Sequence, residues 1–212
     1  MKTNSMNPKE ELQAIREIME RSSKFLSLSG LSGIFAGICA LVGAAVAYFI
    51  LLNAAPVPSD QSLLSLGDSS TTNIRAYLVI DALLVLLIAA LGAIYFSVRK
   101  AKTEGQSLWS NSSKRLVGHL LIPLITGGIF AVIMVLRNFP DLVASVTLVF
   151  YGLALVNAGK FTFSEIHYLG LTEIVLGILA AIFINQGLLL WAIGFGLMHI
   201  VYGIVMYVRH ER

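Results

Sequence analysis

The chain has 212 residues, of which 57% are hydrophobic and 13% charged, with a formal net charge of +3. A soluble domain carries about 25% charged residues, and one of this length has too little interior to hide so much apolar surface, whereas lipid accepts it. The excess of bases does not point to nucleic acid, because Lys and Arg gather at the ends of apolar runs. The single cysteine, Cys39, excludes an intrachain disulfide and a cysteine-based metal cluster.

In chain order, residues 1–24 read as an amphipathic helix at the cytoplasmic interface. Asn7 can cap it, Pro8 suits its first position and Glu10 stands where a capping-box acid would. Leu12, Ile15, Met19 and Leu26 then share one face, as in a helix lying on a membrane or packed under a bundle. Glu10, Glu11, Glu17 and Glu20 precede the first apolar run, which a signal peptide with its short basic start would not show.

Residues 25–212 then form an all-α domain of six transmembrane helices, at about 26–53, 74–98, 116–136, 141–158, 163–184 and 188–208. Most reach the roughly 20 residues that cross about 30 Å of hydrocarbon. The fourth is short and the least secure. Residues 54–73, with Pro56, Pro58, Gly67 and a Ser/Thr cluster, read as a loop, and 99–115 as a polar, basic connection. Arg137 to Pro140 and Asn185 to Gly187 read as tight turns, so spans three–four and five–six are antiparallel hairpins. No sequence repeat is visible. With both termini cytoplasmic, thirteen of the fifteen bases lie inside and only Arg75 and Arg137 outside. Dropping span four would move Arg209 and Arg212 to the far side, so the charge bias supports keeping it.

Ser29, Gly33 and Gly37, spaced by four and continued by Ala40 and Ala44, let another helix approach closely. The face serves packing within the chain or a homo-oligomer contact. Gly177, Gly196 and Gly203 read as packing residues of the last hairpin.

Thr162-Phe163-Ser164-Glu165 matches a capping box at the start of span five. Glu165 is a capping acid, or a ligand or proton acceptor within reach of Lys160. Asp81, about six residues into span two, costs about 2–3 kcal/mol unless paired or hydrated. His119 stands one turn from Arg115, and Pro123 four residues on can kink span three and free a carbonyl.

Glu173 and His199 stand out. Each is thirteen residues from Gln186, at the centre of the last turn. In straight antiparallel helices both then lie roughly 20 Å from the turn at 1.5 Å per residue, near mid-membrane. Burial disfavours the charged form of each side chain, and ionisable groups at that depth mark a functional site or a hydrogen bond that pins the hairpin. The expectation is contact inside the bundle, with His199 on one face with Gly196, Tyr202 and Gly203.

No phosphate-binding glycine loop, HExxH zinc motif or GxSxG nucleophile elbow occurs, and no cofactor or metal is expected. The stretches MERSSKFLSLSGLSGIFAGICALVGA at 19–44, GKFTFSEIHYLGLTEIVLGILA at 159–180 and WAIGFGLMHIVYGIVMY at 191–207 resemble segments of uncharacterised bacterial six-span membrane proteins. The resemblance spans most of the chain. It implies the membrane class and a bacterial inner-membrane home, and carries no activity.

Two functions compete. One is a small-solute or proton-coupled transporter or channel with Glu173, His199 and Asp81 on its path, and His119 and Glu165 as further candidates. The other is a non-catalytic membrane module, a sensor or accessory subunit, whose cytoplasmic face meets anionic lipid or a protein partner. Missing motifs disfavour an intramembrane enzyme. Unbroken spans and the lack of a repeat favour the module.

Overall fold

A computed structural model describes residues 28–53, 69–105 and 110–212; the amphipathic helix expected at 1–24 lies outside them. The described chain is all-α. Its elements are α1 (Gly30–Asn53), α2 (Ser69–Thr103), α3 (Asn111–Leu136), α4 (Val143–Ala158), α5 (Ser164–Ile182), α6 (Gly187–Trp191), a π-helical segment (Ala192–Met198) and α7 (His199–His210). Six helical stretches are long and apolar enough to cross a membrane: Gly30–Asn53, Asn73–Thr103, Asn111–Leu136, Pro140–Phe161, Ser164–Ile182 and Ile184–His210. The last joins α6, the π segment and α7 into one span.

Two boundaries differ from the sequence reading. The expected 54–73 loop ends early, because Ser69 to Asn73 already belong to α2. Ser and Thr are favoured at helix starts as much as in turns, so composition alone cannot separate the two. The expected basic connection at 99–115 is likewise shortened, since α2 runs on to Thr103 and α3 begins at Asn111. There the Ser110 hydroxyl accepts the Ser113 N–H at 3.1 Å, satisfying one of the free donors of the first turn. Pro123 is accommodated inside a continuous α3.

The fourth span is a full member of the bundle. Its short run of apolar residues is explained by its place at the centre, where Ser145, Leu148, Gly152, Ala154, Leu155 and Ala158 are buried. It packs between α3 and α5, and α1 packs between α2 and the sixth span. A buried cluster of Leu155, Ile166, Leu169 and Met206 joins α4, α5 and α7.

The small-residue face of α1 is used within the chain. A Cβ added to Gly33 would lie 3.2 Å from the Gly203 Cα, and one on Gly37 would lie 2.6 Å from the Gly196 carbonyl oxygen. From the other side, a Cβ on Gly203 would lie 2.7 Å from the Ile34 backbone nitrogen. Only glycine permits backbones this close. Gly196 and Gly203 therefore pack on α1, and Gly177 packs on Val149 and Leu148 of α4. All three are packing residues, as the sequence reading expected, and the neighbours they meet lie on α1 and α4.

Antiparallel order brings the start of α1 and the ends of α2 and α7 to one end of the bundle. At the opposite end the Arg75 guanidinium donates to the Asn138 side-chain oxygen at 2.6 Å. Asn138 has a φ of 63°, a left-handed conformation that Asn tolerates better than most residues, and this lets the α3–α4 connection turn tightly.

Candidate functional site

Helical spacing gives α5 one buried face: Glu165, Ile166, Leu169, Gly170, Glu173, Gly177 and Ala180. Glu173 has no exposed surface at all. Its carboxylate meets the backbone of Gly194 in the π segment, where an added Cβ would fall 2.4 Å from Oε2 and 2.6 Å from Leu148 Cδ2. Any side chain at 194 would displace the acid.

His199, 6% exposed, starts α7 directly after the π segment. Its Nδ1 lies 3.3 Å from Glu173 Oε1 and 3.1 Å from the Gly194 carbonyl oxygen, while its Nε2 lies 2.8 Å from the Tyr151 hydroxyl. The carbonyl can only accept, so Nδ1 carries a proton. The 3.3 Å approach to Glu173 is a close contact without hydrogen-bond alignment, and neither Glu173 oxygen has a hydrogen-bond partner. The Tyr151 and Phe195 rings pack beside the imidazole and on each other, and Trp191 packs on Phe195, with centroids 4.9 Å apart for Tyr151–Phe195 and for Trp191–Phe195. Phe195 stacks on His199 at 5.8 Å. The arrangement is one acid, one imidazole and one phenol in an apolar shell, with the imidazole bonded to the phenol and in close contact with the acid.

The structure thus brings Glu173 and His199 together, though not by the expected route. The sixth span is not an unbroken α-helix: the π segment sits between the turn and His199. The His199 side chain points to α4 and α5, away from the face that Gly196 and Gly203 present to α1. Tyr151 was missed, although the same count reaches it: it lies thirteen residues beyond Asn138 in the other outer turn.

Glu165 has partners that its motif does not announce. Phe163 stands directly before the first turn of α5 and makes no side-chain cap bond of its own. The Glu165 carboxylate accepts from Arg209 at 2.7 Å and His210 at 3.2 Å on α7, with Ser164 at 3.3 Å. Arg209 and His210, rather than Lys160, are its basic partners. Next to it, Lys100 donates to the Leu28 carbonyl at 2.9 Å and lies 3.4 Å from Glu211. Glu211 in turn accepts from the Ser29 hydroxyl at 3.1 Å and from the Gly30 N–H. A carboxylate at the start of α1 and a lysine near the end of α2 both complement helix dipoles. Four helix ends are tied here, and neither Glu211 nor Lys100 carried a motif that would have announced it.

The remaining candidates lie apart. Asp81 is half-buried against α1, where its Oδ2 would lie 3.6 Å from a Cβ on Gly43. His119 is exposed and stacks on Phe161 at 4.8 Å. Among the described residues, no three His, Cys, Asp or Glu side chains converge as a metal site. No family model, curated protein or solved structure matches the chain.

Proposed function

We propose that this chain is a non-catalytic module of a bacterial inner membrane, a sensor or accessory subunit, with both termini cytoplasmic. The observation that carries this reading is the complete burial of Glu173. A solute path needs its polar groups wetted in at least one state, and here the backbone of Gly194 presses directly on the acid. The basic end of the bundle, with Arg99, Lys102, Lys114, Arg115 and Arg209, is the surface offered to anionic lipid or a protein partner. Occupation of the Gly33–Gly37 face by the sixth span means that a homo-oligomer would form through another surface.

Purified protein in liposomes loaded with a pH-sensitive dye tests the reading. The module predicts proton flux equal to that of protein-free liposomes, with and without candidate solutes. Flux that Glu173→Gln abolishes would overturn it. Proton-coupled transport is the second reading, favoured by the π segment beside Glu173, since π turns concentrate at functional sites.

A further inference from the structure

We propose that the junction of α3, the turn at Gly159–Phe161 and α5 binds the phosphate headgroup of one anionic phospholipid through Arg115, His119, Lys160 and His167, resting on the reading above that the basic end of the bundle faces lipid. The three elements meet by close packing. Residues Gly159–Phe161 form a 3-10 turn after α4, and both α3 and α5 pack on it. From α3, the His119 ring stacks on Phe161 at 4.8 Å. From α5, the His167 Cβ would lie 2.8 Å from a Cβ added to Gly159, so glycine at 159 lets α5 press on the turn. Lys160 stands between these two anchors and is exposed. Arg115, also exposed, is one turn from His119 on the same face of α3.

The charges here are unbalanced. None of the four side chains forms an ion pair among the described residues. Glu165, the acid in the first turn of α5, is turned away to Arg209 and His210. Lys and Arg are donors only, and each imidazole keeps at least one N–H whether or not it is charged. Cations and N–H groups without an acceptor select an anion with several oxygens, for which phosphate is suited.

Apolar surface beside the cations favours a lipid over free phosphate. Leu153 is 39% exposed on α4. It precedes Lys160 by seven residues, about two helical turns, and so lies deeper on the same side. Tyr168, next to His167 and 58% exposed, is of the residue type that gathers at headgroup level. A phospholipid satisfies both halves, with its phosphate oxygens at the cations and an acyl chain over Leu153.

Native mass spectrometry of the full chain tests this, with release from detergent micelles containing phosphatidylglycerol, phosphatidylcholine or inorganic phosphate. The wild type should retain one phosphatidylglycerol molecule and shed phosphatidylcholine and inorganic phosphate. Arg115→Gln with Lys160→Gln should weaken retention roughly fivefold for each cation removed. Arg99→Gln with Lys102→Gln lowers the net charge equally and should leave retention unchanged. Equal loss in the two pairs would mean a diffuse basic surface and overturn the site. Phosphatidylcholine or inorganic phosphate held as firmly as phosphatidylglycerol would overturn the ligand. If a double variant does not fold, Lys160→Gln against Lys102→Gln decides by the same comparison. Proton flux is not among these readouts, so the lipid site and the non-transporting module fail separately.

Discussion

Glu165 and Glu173 are the same side chain on the same buried face of α5, and both turn to the sixth span. Glu165, at the end of the bundle, finds Arg209 and His210. Glu173, eight residues deeper, finds an imidazole at 3.3 Å and no hydrogen bond. The difference is one of depth. Near the surface, long basic side chains reach a carboxylate while keeping their own heads in water, as Arg209 does with 66% of its side chain exposed. Deep in the bundle what approaches is small, aliphatic or aromatic: Gly194, Leu148, Tyr151 and His199.

Substitutions can break this contrast at graded cost. The largest effect is expected for Gly203→Val, which drives a branched side chain into the α1 backbone that both carboxylate sites depend on to seat the sixth span. It should cost at least the upper part of the roughly 1–3 kcal/mol typical of overpacking. Recovery of monodisperse protein by fluorescence-detected gel filtration, followed by its melting temperature, would show this, and wild-type values would refute the packing. His199→Leu comes next, because it takes the imidazole partner from the Tyr151 hydroxyl. About 1–3 kcal/mol for that polar group is expected, read as a fall in melting temperature that Tyr151→Phe partly restores in the double variant.

Arg209→Ala sharpens the comparison from the other side. An ion pair with one largely exposed partner is worth about 0–1 kcal/mol, and His210 still accompanies Glu165. A small drop in stability that high salt erases is expected; a loss as large as that of His199→Leu would abolish the contrast. Gly118→Ala is the smallest change and has the opposite sign. A Cβ there meets nothing within 4 Å, so the variant should gain up to about 1 kcal/mol of helix propensity, measured as a raised melting temperature.

Hydropathy and the bias of Lys and Arg made the six helices legible, because each depends on composition summed over a long window. Glu173 and His199 were legible as a pair of equal depth, since counting from a turn needs only the rise per residue. Their orientation was not, because rotation about each helix depends on the π segment, and the run Ala192–Met198 carries no signal that separates it from an α-helix. The partners of Glu165 were hidden for a related reason. The spacing from Thr162 to Glu165 is local, whereas Arg209 and His210 arrive from another helix, more than forty positions along the chain. Glu211 was invisible on the same grounds, being one charged residue at a terminus until folding sets it on the first turn of α1.

The length of α2 has a mechanical consequence. Its 35 residues make a rod about 52 Å long at 1.5 Å per residue, against a hydrocarbon layer of about 30 Å. Such a rod overshoots the apolar layer, and its polar ends, Ser69 to Asn73 and Arg99 to Thr103, carry the excess. It lies along α1, through contacts such as Gly92 on Phe35, and near its end Lys100 grips the Leu28 carbonyl and Glu211. A force that tilted α2 would therefore act on it as on a lever, with α1 as fulcrum and the junction of Leu28 with Glu211 under the load.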